Sequence, residues 1–237
     1  MNTNRKIAII VGILYITGTV AGILSLTLME PIRNAQDPLV QVSANENLMV
    51  VGALFVLIMG LALAMIPVML FPILKKYNEV LALGYVVFRG GLETFTYIAM
   101  VISWLLLVPL SQAYAQSGAS NPSNVQILGT LLLETKEISS VTAIVFPLGA
   151  LMFYYLLYRS KLVPRWLSVW GLVALIPSVG AGLSAMFGII ASLSTVGVVS
   201  DIPLALQEMV LAIWLIVKGF NSSPVNFGSA QVATSQA

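Results

Sequence analysis

The sequence predicts an all-α protein: a polytopic integral membrane bundle of six transmembrane helices, with both termini cytoplasmic. Three observations predict it. Hydrophobic residues make up 59% of the 237 residues and charged residues 8%, whereas about a quarter of a soluble domain is charged. The apolar residues gather into six stretches, most of them near the roughly 20 helical residues that cross a bilayer core about 30 Å thick. Finally, the basic residues fall almost entirely in alternate connections, the asymmetry that sets membrane orientation.

The first stretch, 7–29, follows Arg5 and Lys6 and reads as a retained helix rather than a signal peptide. It reaches spanning length and lacks a small-x-small cleavage site before a polar start. Its Gly18-x-x-x-Gly22 step is a small-residue face suited to close helix packing. The second span is 48–74 and the third 80–110. The fourth is 138–158, helical from about residue 126. The fifth, 166–190, carries a second small-residue face, Gly180-x-x-x-Ser184-x-x-x-Gly188, and the sixth is 204–220. Pro67, Pro147 and Pro177 interrupt spans two, four and five. Each frees a carbonyl that a neighbour must satisfy, so each reads first as a kink.

Short connections at 75–79 and 159–165 predict two antiparallel hairpins, and longer ones lie at 30–47, 111–124 and 191–203. One membrane domain, 1–220, is followed by a Ser-, Ala-, Gln- and Asn-rich tail, 221–237, with little to bury, expected to be a disordered cytoplasmic tail. With the N terminus inside, the cytoplasmic side receives Arg5, Lys6, Lys75, Lys76, Arg159, Lys161, Arg165 and Lys218. The outer side receives Arg33 beside Glu30, Asp37, Glu46 and Asp201. Trp104, Trp166, Trp170 and Trp214 are expected mostly toward span ends, as an aromatic belt.

The chain contains no cysteine and no histidine. Thiol catalysis, disulfides, histidine triads and the usual transition-metal sites are excluded, and no cofactor or metal is expected. A net charge of +2, with scattered basic residues, gives nucleic acid no footprint. No phosphate-binding or dinucleotide fingerprint is present. Met59, Met65 and Met69 read as adaptable packing rather than soft-metal ligands. The partner the composition implies is the lipid bilayer.

Against this background, charges inside or at the edge of the apolar stretches stand out: Arg89 and Glu93 in the third, Glu134, Lys136 and Glu137 in the fourth, and Glu208 in the sixth. A charge at the bilayer centre costs about 2.5–3.5 kcal/mol on insertion scales. Unpaired, the set would cost roughly 15 kcal/mol, comparable to the whole stability of a domain. These groups must face one another, a polar cavity or the headgroups.

Depth relates them. Arg89 lies about ten residues from the inner end of its span, and Glu208 about ten from the inner end of its own. At 1.5 Å per residue both sit roughly 15 Å deep. An Arg89–Glu208 pair across helices is therefore expected. Glu93, four residues after Arg89, shares its face, so an Arg89–Glu93 pair is the alternative, and the sequence does not choose between them. Tyr97 continues the stripe and Gly90-Gly91 lets another backbone approach, which makes this face the wall of a polar cavity. Glu134 and Glu137 would share a face on a continuous helix while Lys136 points away, and this cluster lies in the membrane or at its outer interface.

The run Arg-Ser-Lys-Leu-Val-Pro-Arg-Trp-Leu-Ser-Val-Trp-Gly at 159–171 and the run Glu-Met-Val-Leu-Ala-Ile-Trp-Leu-Ile-Val-Lys-Gly-Phe-Asn at 208–221 resemble a bacterial membrane-protein family. It is the family catalogued as domain of unknown function 4386, and the resemblance covers about 7–221. It implies a multi-span protein of the bacterial cell (inner) membrane, and it supplies no activity and no catalytic residues.

Three functions fit the residues. The first is a small transporter for a small molecule or ion, with Glu93 and Glu208 as proton or cation sites, Arg89 as counter-ion or anion site and Tyr97 on the same wall. The second is a membrane-embedded enzyme on a lipid-type substrate, with Glu134, Glu137 or Glu93 as general base; the lack of histidine and cysteine weighs against it. The third is a regulatory or assembly protein whose ion pairs are purely structural.

Overall fold

The computed structural model describes residues 2–116, 122–191 and 194–221. Among these residues every element is helical. In order they are α1 (Thr3–Arg33), α2 (Pro38–Ala44), α3 (Glu46–Leu74), α4 (Glu79–Tyr85), a π-helical turn (Val86–Leu92), α5 (Glu93–Gln116), α6 (Pro122–Glu134), α7 (Lys136–Ser160), α8 (Arg165–Met186) and α9 (Thr195–Val217). Six helical units are long and apolar enough to cross a membrane, α4 through α5 forming the third and α6–α7 the fourth. The chain is a six-span membrane protein. A helix satisfies its backbone donors and acceptors internally, the condition for lying in hydrocarbon.

The spans form a closed ring. α1 packs on α3, α3 on the π turn and α5, that unit on α7, α7 on α8, α8 on α9, and α9 back on α1. The ring's outer surface is apolar: Phe95 is 68% exposed and Ile176 71%, which only a lipid solvent makes inexpensive. Inside lie two core clusters. One, around Tyr85, Tyr154, Leu70 and Leu215, fills the half nearer the termini. The other, around Met29, Met49, Leu107 and Trp104, lies between α1, α2, α3 and α5 in the opposite half.

The start of α1 and the end of α9 lie at the same end of the ring. The Arg5 guanidinium donates to the Leu215 carbonyl at 3.0 Å and the Val217 carbonyl at 3.2 Å, closing the C terminus of α9 with a cation. This is here called the terminal end, and its opposite the far end. Side-chain caps start the helices: Asn2 for α1, Asp37 for α2, Asn78 for α4 and Ser194 for α9.

Several expectations are corrected. α9 begins at Thr195, nine residues before the expected start, because Ser194 caps it and Pro203 is accommodated within it. Asp201 is thus helical rather than in a loop. The connection 30–47 contains α2, opened by the Asp37-Pro38 cap. The connection 111–124 shrinks, since α5 runs to Gln116 and α6 starts at Pro122. The fifth span ends at Met186, so Gly188 lies beyond it with φ +72°. Consequently the Gly180-x-x-x-Ser184-x-x-x-Gly188 face does not pack as one stripe. Gly180 has open space beside it, and Gly182 makes the close approach, to Ala143. Gly18 and Gly22 do pack closely, against Leu63 and Met59. Trp104 is buried and donates to the Leu133 carbonyl at 3.2 Å instead of joining a belt. Of the 221–237 tail, all but Asn221 lies outside the described residues.

Candidate functional site

The third span is not one α-helix. At Val86–Leu92 it widens into a π turn that carries Arg89, and Glu93 opens α5. Such turns commonly mark functional sites. Two glycines seat this one. Gly90 lies against Pro67 of α3, and Gly149 of α7 comes so close that a Cβ there would meet the Arg89 nitrogen at 3.0 Å. α7 thereby also brings Phe146 over the guanidinium, with the Arg89 Cζ 4.6 Å from the ring centroid.

Arg89 makes both pairings that the sequence leaves open. Its Nη1 donates to Glu93 Oε1 at 2.9 Å and Oε2 at 3.1 Å, and its Nη2 donates to Glu208 Oε1 at 3.0 Å. Tyr97 donates to Glu93 Oε1 at 2.7 Å. Behind them Thr142 donates to Thr96 at 2.8 Å, and Thr96 to the Glu93 carbonyl at 2.7 Å, fastening α7 to the start of α5. Arg89 is 4% exposed, Glu93 1% and Glu208 16%. Glu208 therefore presents the face of this cluster that is open. Its second oxygen has no protein partner among the described residues. Two carboxylates share one guanidinium, so the ionised cluster carries a net charge of −1.

The open face borders a cleft of about 480 Å³ inside the ring. Its lining runs from Arg89, Glu93 and Glu208 past Leu204, Phe146 and Met59 to Leu26, Ser139, Ala185 and Gly197, which lie toward the far ends of α1, α7, α8 and α9. Toward the terminal end the ring is filled. Tyr15, Tyr85 and Tyr154 are buried there, Tyr85 stacking on Phe153 at 4.7 Å between centroids. Tyr154 donates to Gln207 Oε1 at 2.7 Å, and Gln207 donates to the Leu167 carbonyl at 3.0 Å. The cleft thus has an ionic floor and a filled terminal end.

Glu134, Lys136 and Glu137 are not part of it. All three are exposed and absent from the cleft lining. The expected sharing of a helix face by Glu134 and Glu137 fails because Thr135 adopts a left-handed conformation, φ 47°, and breaks the helix between them.

Sequence reasoning missed Asp201, which lines the cleft and accepts a hydrogen bond from Ser178 at 2.6 Å. Its seven-residue spacing from Glu208, two helical turns on one face, was the available signal. The Gly90-Gly91 pair was the only hint of the π turn. Among the described residues no group of three or more histidine, cysteine or acidic side chains could hold a metal ion.

A model of the family described as Domain of unknown function (DUF4386) matches residues 10–219. The chain belongs to this family. Both resemblance runs fall almost wholly within the DUF4386 match, and the second carries Glu208 into the floor of the cleft. No curated protein and no solved structure matches the chain.

Proposed function

We infer that this DUF4386 protein is a small transporter whose solute or coupling ion is received at the Arg89–Glu93–Glu208 cluster. One observation carries this reading. A buried cluster of two carboxyl groups and one guanidinium lies mid-span at the closed end of a cleft, and its partly exposed member, Glu208, keeps an unshared carboxyl oxygen toward the space. A purely structural pair gains nothing from an open face, and ionisable groups within spans face functional pathways by default. The enzyme reading has lost Glu134 and Glu137 as bases near the cavity. Placement in a bacterial inner membrane with cytoplasmic termini is part of the same proposal. It is supported by Arg5, Lys76 and Lys218 around one polar recess at the terminal end.

The test is charge movement in proteoliposomes under an imposed pH gradient, against a panel of amines, carboxylates, sugars and metal cations. Transport predicts a protein-dependent current for one class, abolished by Glu208→Gln in a protein that remains folded. Silence across the panel, or an unchanged current in Glu208→Gln, contradicts it.

A further inference from the structure

We propose that the cleft is built for an organic cation with an apolar body, its charge drawn to the carboxylates of Glu208 and Asp201. The proposal names the substrate class of the site just described and rests on that site being a binding site.

Charge decides the sign of the ligand. The charged side chains lining the cleft are Arg89, Glu93, Glu208 and Asp201, three carboxylates against one guanidinium. The guanidinium is already committed to carboxylates: Nη1 is held by both oxygens of Glu93, Nη2 by Glu208, and one face is covered by Phe146. The acceptors, by contrast, have capacity to spare. Glu208 uses one oxygen toward protein, and Asp201 accepts only from the Ser178 hydroxyl among the described residues. An anion would meet net repulsion from three carboxylates around a guanidinium already paired to two of them, while a cation would meet two carboxylates with acceptor capacity left.

Geometry and walls decide the rest. Asp201 and Glu208 lie seven residues apart on α9, about 10.5 Å along its axis, with Leu204 between them on the same face. That stretch is too long for a bare ion to bridge and suits an extended molecule. Met59, Met100, Leu63 and Phe146 form much of the opposing wall. Methionines adapt to varied apolar shapes, and an aromatic face tolerates an ammonium. A strongly hydrated metal cation would find only two or three carboxylate oxygens among apolar walls, short of the six or more oxygens it requires.

Equilibrium binding to the full-length protein in nanodiscs tests this, using benzyltrimethylammonium and its anionic counterpart of similar shape, phenylmethanesulfonate. The cation is expected to bind saturably and the sulfonate not at all. Glu208→Gln should weaken cation binding by about tenfold or more. Asp201→Asn, at the more exposed mouth, should weaken it several-fold, and Glu134→Gln should leave it unchanged. Should Glu208→Gln fail to fold, Asp201→Asn carries the test. Equal binding of the sulfonate, or cation binding indifferent to both α9 substitutions, overturns the proposal. Cation binding without any flux would overturn the transport reading and leave this one intact. Flux of an anionic or neutral solute with no cation binding would do the reverse.

Discussion

Arg89 and Glu208 meet at 3.0 Å although 119 residues separate them in the chain. One comes from the π turn of the third span and the other from the middle of the last. Their contact closes the floor of the cleft and ties two helices across the ring. The same guanidinium holds Glu93, so its removal leaves two carboxylates facing each other in a poorly solvated space.

Arg89→Ala should therefore destabilise the bundle by about 3–5 kcal/mol, the cost of stranding a buried charge. Adding Glu93→Gln and Glu208→Gln to that variant should recover most of the loss, because no unpaired charge then remains. Thermal unfolding in detergent reads both. An Arg89→Ala protein as stable as wild type would show that the cluster carries no structural role.

Much of this was legible beforehand. Arg89 and Glu208 could be placed at one depth because helix rise converts residue counts to distance, and Glu93 and Tyr97 followed from the four-residue spacing. The six spans were legible because hydrocarbon permits so few backbone solutions. What escaped were features set by neighbours rather than by pattern. The π turn depends on Gly149 of another helix pressing against Arg89. The left-handed Thr135 separates Glu134 from Lys136 and Glu137, which no periodicity revealed. The early start of α9 depended on a serine cap in a stretch read as loop, and so Asp201 was overlooked.

Glycines offer a paired test of the ring. A Cβ on Gly12 would sit 2.6 Å from the Ala212 carbonyl oxygen and 2.5 Å from Ile216 Cγ1, where α1 closes on α9. Gly12→Ala should cost about 1–3 kcal/mol through overpacking. Gly180→Ala, with open space beside it, should be neutral or stabilising by about 0.5–1 kcal/mol, since alanine is the better helix former. Equal effects on detergent unfolding would show that α1 and α9 do not meet as described.

At the far end, Asp37 caps α2 through the Leu39 and Val40 amides and accepts from Tyr114 at 3.0 Å and Gln126 at 3.2 Å. Partial burial works against its charge, but these hydrogen bonds outweigh it and hold the carboxyl below its ordinary range. A depressed folded value means the stabilisation is fully present above the unfolded value of about 3.9. It is lost as pH falls from there through the folded value. Amide exchange in α2 and α6 should accelerate over that acidic window in wild type. Asp37→Ala should show the acceleration at neutral pH, a loss of about 1 kcal/mol. Identical protection in the two proteins would refute the tether.

Topology follows from the Arg5 contact with the end of α9. Reporters fused at Met1 and after Ala237 should register on one face of the membrane, the cytoplasmic one on the placement proposed above. Opposite readings from the two fusions would contradict an even number of spans.

The central claim is that the ionic cluster floors a cleft open only to the face opposite the termini. The cysteine-free chain makes its direct test clean. Ala205, which lines the cleft three residues before Glu208, and Ala150, buried beyond the floor, can each become the single thiol. In oriented vesicles, a membrane-impermeant maleimide should label Ala205→Cys from the far face and not from the terminal face, and should label Ala150→Cys from neither. Labelling of Ala150→Cys at a comparable rate, or of Ala205→Cys from the terminal face, would contradict it.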